Sequence, residues 1–403
     1  MKDEKKAPKL RFKGFTDDWE QCKLGDVCEE VSGNNGNVKG LPILTISAAN
    51  GWMNQKDRFS QVIAGNELKK YTLLKKGHLA YNHGNSKQAK YGTVFVQNLY
   101  DQALVPRVYH SFKMKTENNP YYVEYYFATK KLDRELARLV TSGARMDGLL
   151  NINKKDFFKI KFEVPTPVEQ SLIGTILQKL DQTITLHEEK KRQLECLKSA
   201  LLQKMFADKS GYPAVRFKGF DERWERHVLN DLAIFNPKCT LPTSFEYVDL
   251  GSVIGVEMIS HKTISKFDAP SRAQRLAQVG DLFYQTVRPY QQNNYLFDNK
   301  DNAYVFSTGY AQLRPLIDGY FLLCLVQTKS FVRKVMNACT GTSYPAINSQ
   351  DLAQIRVNIP INSKEQRLIG NLYKVIDNLV TLYQRKLDDL NTIKQSLLQK
   401  MFI

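Results

Sequence analysis

The sequence predicts an α+β fold in two tandem halves. Each half is an α/β domain followed by one long α-helix, and the two helices are expected to pack as an antiparallel coiled coil with pseudo-two-fold symmetry. Two observations carry this. Landmarks recur in the same order: RFKGFTDDWE at Arg11 returns as RFKGFDERWE at Arg216, GHLAY at Gly77 as GDLFY at Gly280, and LLQKMF at Leu201 as the same six residues at Leu397. Self-similarity of this kind marks a duplicated architecture. The stretches that end in the hexamer also carry an apolar period of 3.5 residues, the signature of a helix packed along its length on another helix.

The first half opens with a charged segment and the RFKGF entry. From about Trp19 to Glu163 it shows short β-rich runs such as LPILTIS and TVFVQ, punctuated by Gly, Asn and Pro. Apolar residues recur at helical spacing around Tyr121 to Leu139, and a strand is expected to lead out to Pro165. The second half repeats this from Trp224 to Val357, with its late helix around Tyr320 to Met336 and its exit strand ending at Pro360. The divisions expected are a first domain over 1–164, a central helical region over 165–210, a second domain over 211–359 and a C-terminal helical region over 360–403.

In the first helical region, steps of four and three give Ile173, Leu177, Leu180, Ile184, His187, Lys191, Leu194, Lys198, Leu201 and Met205. In the second they give Ile369, Tyr373, Ile376, Val380, Tyr383, Leu387, Leu390, Lys394, Leu397 and Met401, where Lys394 alone breaks the apolar seam. At 1.5 Å per residue such a helix spans roughly 57 Å. A lone solvent-bridging helix would leave the stripe exposed, so pairing of the two copies is the economical solution.

The chain carries 58 Lys+Arg against 41 Asp+Glu, a net +17 spread along its length, which points to a polyanionic partner. Most of that charge lies outside the helical repeats, so the basic surface belongs to the domains. Six scattered cysteines form no CxxC pair and no zinc-ligand spacing, as in a reducing compartment. No signal-peptide core and no run of about 18 apolar residues is present, so no membrane role is expected and the cytoplasm is the default.

Antiparallel helices would set two unlike domains at opposite ends, so that one chain imitates a dimer and acts as a ruler on duplex DNA, whose backbone has the same dyad. The repeated segments also carry a resemblance. The order of domain, helix, domain, helix, the doubled RFKGF with a following Trp, the junctions VPTPVEQSLIG and IPINSKEQRLIG, and the doubled LLQKMF resemble the specificity subunit of type I restriction-modification systems. The resemblance implies two target recognition domains that read a bipartite, asymmetric double-stranded DNA site. It also implies two methyltransferase (M) subunits docked on the helices that methylate adenine, and restriction/translocase (R) subunits that join through the complex.

Catalysis is expected to lie elsewhere. NNPYY at Asn118 lacks the second proline of an amino-methyltransferase grip, and GNNGNVKG at Gly33 lacks the Gly-Lys-Ser/Thr end of a phosphate-binding loop. Asp57 with Glu67 and Lys69 has nuclease-like spacing that arises readily by chance in charged sequence, and the six histidines form no metal pattern. No catalytic residue, metal site or cofactor is assigned.

The candidate DNA-binding residues lie in loops that follow matched landmarks. In the first domain they are Lys87, Gln88 and Lys90 of YNHGNSKQAKYG, and in the second Arg288, Gln291, Gln292, Asn293 and Asn294 of YQTVRPYQQNNYLF. A second pair of loops, between the late helix and the exit strand, adds Ser142 and Arg145, then Thr342, Ser343 and Tyr344. Arg and Lys suit guanine acceptors, and Asn and Gln suit the donor-acceptor edge of adenine. The bland reading of such loops is solvent exposure. Leu172, Leu202 and Phe206, off the helical seam, are candidates for binding the methyltransferase subunits or for core packing. Two other functions compete: a stand-alone DNA-binding protein with two readers, and a coiled-coil scaffold whose basic character is incidental.

Overall fold

The computed structural model describes residues 7–403 except 34–39, 59–64, 85, 88, 116, 142–148, 208 and 342. It divides into two compact units: residues 1–187 with 386–403, and residues 188–385. Both long helices, Pro167–Lys204 and Ser363–Lys400, therefore contribute to each unit.

In the first unit a four-stranded antiparallel sheet has the order Cys28–Glu30, His110–Met114, Leu79–Asn82, Thr93–Val96. Shorter pairs, Leu44–Ser47 with Gly51–Asn54 and Thr72–Lys75 with Gln102–Val105, complete its β-structure around a small core of Leu44, Ile46, Leu74 and Val105. In the second unit the corresponding sheet runs Ala233–Phe235, Tyr310–Pro315, Leu282–Gln285, Tyr295–Leu296. GHLAY and GDLFY thus lead into corresponding strands of corresponding sheets. A further four-stranded sheet, ordered Lys262–Ser265, Ser244–Val248, Tyr304–Ser307, Ala273–Leu276, belongs to the second unit.

The Trp of each RFKGF entry leads into a strand that pairs with the exit strand. Glu20–Lys23 lies antiparallel to Lys161–Val164, and Glu225–Val228 to Arg356–Ile359, each exit strand stopping one residue before its proline. The late helix of each half is two helices instead of one. Pro120–Ala128 and Asp133–Leu139 are separated by Lys130 in a left-handed conformation. Gly319–Gln327 ends at Thr328, whose extended backbone and hydroxyl, accepting from Phe331 N, start Lys329–Ala338. Apolar periodicity runs through such a break because side chains on both sides face one core; the Thr-Lys pair common to both breaks is the local signal.

Each core joins a domain to both long helices. In the first unit Trp19, Phe112, Tyr122, Tyr126 and Phe162 enclose Ile173 and Leu177 of one helix and Met401 and Phe402 after the other. In the second, Trp224, Phe321 and Phe331 enclose Ile369 and Tyr373 together with Met205 and Phe206. Pairing within each unit is antiparallel. In the second unit Lys198 meets Asp377 at 2.5 Å, while Phe206, further on past the end of the first helix, packs near Tyr373, further back on the second. In the first unit Asp181 meets Lys394 at 2.5 Å. All twenty predicted seam positions are buried or half-buried.

Candidate nucleic-acid interface

The loop after Leu282–Gln285 is fixed by polar side chains. Gln285 donates from Nε2 to the Val287 carbonyl and to Gln291 Oε1, at 2.7 and 2.8 Å, and its backbone N–H donates to Asn294 Oδ1 at 2.8 Å. Asn293 Oδ1 accepts from Gly255 N at 2.9 Å, and Gln292 exchanges hydrogen bonds with Gln327 at 2.7 and 3.0 Å. Asn294 is 1% exposed. Most of this polarity is therefore architectural. Of the five residues expected to read DNA from this loop, Gln291, Gln292, Asn293 and Asn294 each use a side-chain atom in a hydrogen bond within the unit, and Asn294 is buried.

Those bonds present one residue differently. Arg288 stands at φ 54 and Gln292 at φ 58, left-handed conformations that non-glycine residues adopt at a cost. The Arg288 N–H donates to the Pro345 carbonyl at 2.7 Å, which ties this loop to the loop containing Ser343 and Tyr344. The guanidinium lies 4.3 Å from the ring centroid of Tyr344, itself 66% exposed. Among the described residues it meets no carboxylate and donates no hydrogen bond. An arginine placed over an aromatic face keeps all five N–H donors available in a fixed plane. Thr342 lies outside the described residues.

In the first unit Lys87 and Lys90 are exposed, flanking Ala89, whose N–H donates to Ser86 Oγ at 3.1 Å. Gly92 ends the loop at φ 86, where a Cβ would come within 2.6 Å of the Asn82 carbonyl, so glycine is required. Gln88, Ser142 and Arg145 lie outside the described residues. His83, which sequence reasoning left without a role, anchors the exit of the second loop: its ring nitrogens face the carbonyls of Leu150 and Val108 at 2.5 and 2.6 Å, and Leu150 N donates to its own carbonyl at 2.8 Å. Only its place in the loop Tyr81–Gly92 could have flagged it.

The entry segments are pinned by a repeated ion pair. Arg11 forks onto wholly buried Glu169 at 2.8 and 2.7 Å, and Arg216 onto wholly buried Glu365 at 2.7 and 2.8 Å; each also donates to a carbonyl, of Asp17 or Glu222. These glutamates are the Glu of the doubled Glu-Gln junction. The hydrogen bond to the carboxylate raises each arginine's pKa, fixing its charge.

On the helices, Leu172 is partly exposed and Leu202 is half-buried. Phe206 is core, buried among Trp224, Phe321 and Tyr373. The second helix carries an exposed apolar row that sequence reasoning missed, Leu368, Val375, Leu379 and Leu382, with Leu372 partly covered among them. Its spacing of seven, four and three was legible but was masked by the stronger buried seam. Among the described residues no cluster of His, Cys, Asp and Glu could hold a metal, and no helix is long and apolar enough to cross a membrane.

Comparison with known proteins agrees with this architecture. The family profile "Type I restriction modification DNA specificity domain" matches residues 16–196 and again 262–392. The chain is 22% identical over 314 residues to the type I restriction enzyme MjaVIII specificity subunit of Methanocaldococcus jannaschii, covering 68% of each protein. It is 23% identical over 303 residues to the EcoDI specificity subunit of Escherichia coli, covering 65% of this chain and 66% of the relative. A crystal structure of a type I restriction-modification S subunit from M. genitalium shares the fold, with a TM-score of 0.63 at 15% identity over 98% of this chain and 99% of that one. With one copy of the specificity domain in each half and these matches spanning most of its length, the chain belongs to the type I restriction-modification specificity subunit family.

Proposed function

We propose that this chain is the non-catalytic DNA-reading subunit of a type I restriction-modification complex. Residues 1–164 and 211–359 each read one half of a bipartite, asymmetric double-stranded DNA site. The helical regions 165–210 and 360–403 set the gap between half-sites and dock two adenine-specific methyltransferase subunits, and the restriction/translocase subunits join through that complex. The exposed apolar row Leu368, Val375, Leu379 and Leu382 supports the docking role, since a helix otherwise polar on its outer face carries such a row where another helix covers it.

The observation that carries the reading role is Arg288: a guanidinium held in a left-handed backbone over an exposed tyrosine, with its donors unspent. That arrangement suits the paired acceptors of guanine in the major groove. Lys87, Lys90, Gln291, Ser343 and Tyr344 are the accompanying candidates, for bases or phosphates, with Gln88, Ser142, Arg145 and Thr342 as proposals from sequence. Mapping methylated adenines in cells that carry the whole complex tests the assignment. Arg288→Ala should relax one base of one half-site, a change of about 1–3 kcal/mol in discrimination, and leave the other half-site as it was. Equal relaxation of both halves, or none, would overturn it, and DNA binding without any methyltransferase partner would favour a stand-alone DNA-binding protein.

A further inference from the structure

We propose that the second unit holds an additional, sequence-independent contact for duplex DNA: a cationic groove that takes the phosphate backbone flanking its half-site. The proposal rests on the DNA-reading function above. The groove has a volume of about 1250 Å³ and lies between Lys209, Gly211 and residues 222–226 on one side and one face of the helix Lys329–Ala338 on the other. Lys209, Arg223, Arg226, Arg333 and Lys334 line it. Among the described residues none of these five forms an ion pair. Arg223 Nε donates to the Ser210 carbonyl at 3.0 Å and Lys334 Nζ to the Arg356 carbonyl at 2.7 Å, so neither cation is neutralised. The two acids of the lining, Glu222 and Glu225, leave an excess of positive charge, and Glu225 is engaged with His227 at 3.3 Å. Burial, and to a smaller extent the nearby Arg226, lower the pKa of Lys334.

The first unit provides an internal control. An overlapping surface, beside its own paired entry and exit strands, is a groove of about 530 Å³ whose three lysines, Lys131, Lys159 and Lys161, are matched by Glu135, Asp156 and Glu163. Lys159 pairs with Asp156 at 2.9 Å. The corresponding positions are explicit. Gln21 faces Glu163 across the strand pair where Arg226 faces Asn358, and Glu135 stands six residues past the Thr of the shared Thr-Lys where Lys334 stands in the second half. These two fold positions are cationic in the second half only, whereas Arg333 has a cationic counterpart in Arg134.

The chemistry of the lining selects the occupant. A protein-docking groove is anchored by apolar and aromatic side chains. In this groove the only large apolar side chain exposed among the described residues is Ile361, and the helix face Ser330, Arg333, Lys334 and Asn337 presents guanidinium, ammonium, hydroxyl and amide groups in a row. That is the composition of a phosphate-backbone contact, which positions DNA without reading it. The same helix ends just before the loop with Ser343 and Tyr344, so backbone grip and base reading share one rigid element.

The test uses the complete complex with its partner subunits, carrying Arg226→Glu with Arg333→Glu, and as a milder pair Arg226→Gln with Arg333→Gln. Binding is measured against salt on duplexes holding the full site and trimmed separately at each flank. For the parent, trimming beside the second unit's half-site should weaken binding, and the same trimming at the other end should not. Withdrawing one cation from a phosphate reduces the slope of log K against log salt by about 0.9, so the double variants should lower it by roughly twice that while methylation specificity stays unchanged. Unaltered slope and flank dependence would overturn the proposal, and so would loss of a partner subunit from the variant complex, which would assign the groove to an acidic protein surface. A parent complex without sequence-selective binding would instead overturn the underlying DNA-reading function.

Discussion

Replacing Arg216 by Met strands a carboxylate. Glu365 has no exposed side-chain surface, and Arg216, 14% exposed, supplies both of its hydrogen bonds at 2.7 and 2.8 Å in a fork that methionine cannot make. An exposed ion pair of this type is worth about 0.2–1 kcal/mol, but removing one partner of a buried pair costs about 3–5 kcal/mol, because the remaining charge must be desolvated without compensation. The third bond, from Nη1 to the Glu222 carbonyl at 2.6 Å, is lost too and frees the entry segment from Arg216 to Trp224. Urea unfolding followed by circular dichroism should show the destabilisation as a lower midpoint. Combining Arg216→Met with Glu365→Leu should recover much of it, since no charge is then left buried. The first unit offers a replicate, as Arg11 and Glu169 have the same geometry, and Arg11→Met should cost a similar amount. A destabilisation under about 1 kcal/mol for either single replacement, or a double variant no better than the single one, would refute the reasoning.

Two further outcomes follow from close packing and burial. Gly370→Ala would bring a Cβ within 2.5 Å of Asp318 Oδ1, the atom that caps the helix Gly319–Gln327 by accepting from Phe321 N, so thermal melting should show loss of a cap, about 1 kcal/mol, plus overpacking of about 1–3 kcal/mol. Burial raises the carboxyl of Glu124 from 4.5 to about 7, with the Val96 N–H opposing and Asp181 and Lys394 adding smaller effects of opposite sign. The folded state then holds a proton that the unfolded chain releases, so its contribution to stability is whole below about pH 4.5 and is lost as pH rises to about 7. Glu124→Gln keeps an acceptor for Val96 N and should match the parent at low pH but exceed it at pH near 8; identical pH profiles in denaturant titrations would contradict this.

What was legible in the sequence follows from which interactions are periodic. The buried face of both long helices could be read because an apolar stripe is a property of one helix alone. The seam lysines could not, because their meaning depends on register across the pair: Lys394 reaches Asp181 and Lys198 reaches Asp377, and those aspartates also accept from Tyr125 and Tyr320 at 2.8 and 2.7 Å. These two breaks in the stripe are thus polar layers, filled alike in each unit, whereas the third seam lysine, Lys191, pairs along its own helix with Glu195 at 3.5 Å. In the loops, order and position were legible while the fate of each side chain was not. Asn294 and Arg288 look equally suited to a base in the sequence, yet one closes the turn from inside and the other is left with nothing but a tyrosine face beneath it. Only backbone geometry separates them.

The doubled LLQKMF has a physical cause. Met205 and Phe206 end a helix that starts in the first unit, but they fill the core of the second; Met401 and Phe402 end the helix that starts in the second and fill the core of the first. Phe402 stacks on Tyr122 at 5.4 Å, and Phe206 stacks on Phe321 at the same centroid distance, with Trp19 and Trp224 packed edge-on to those rings. Each half therefore supplies the plug for the other half's socket. The same plug fills both sockets although the ring it stacks on differs, Tyr122 in one and Phe321 in the other. At the groove beside Arg226, by contrast, Glu135 and Lys334 differ in sign at one fold position, while the hexamers are letter for letter the same.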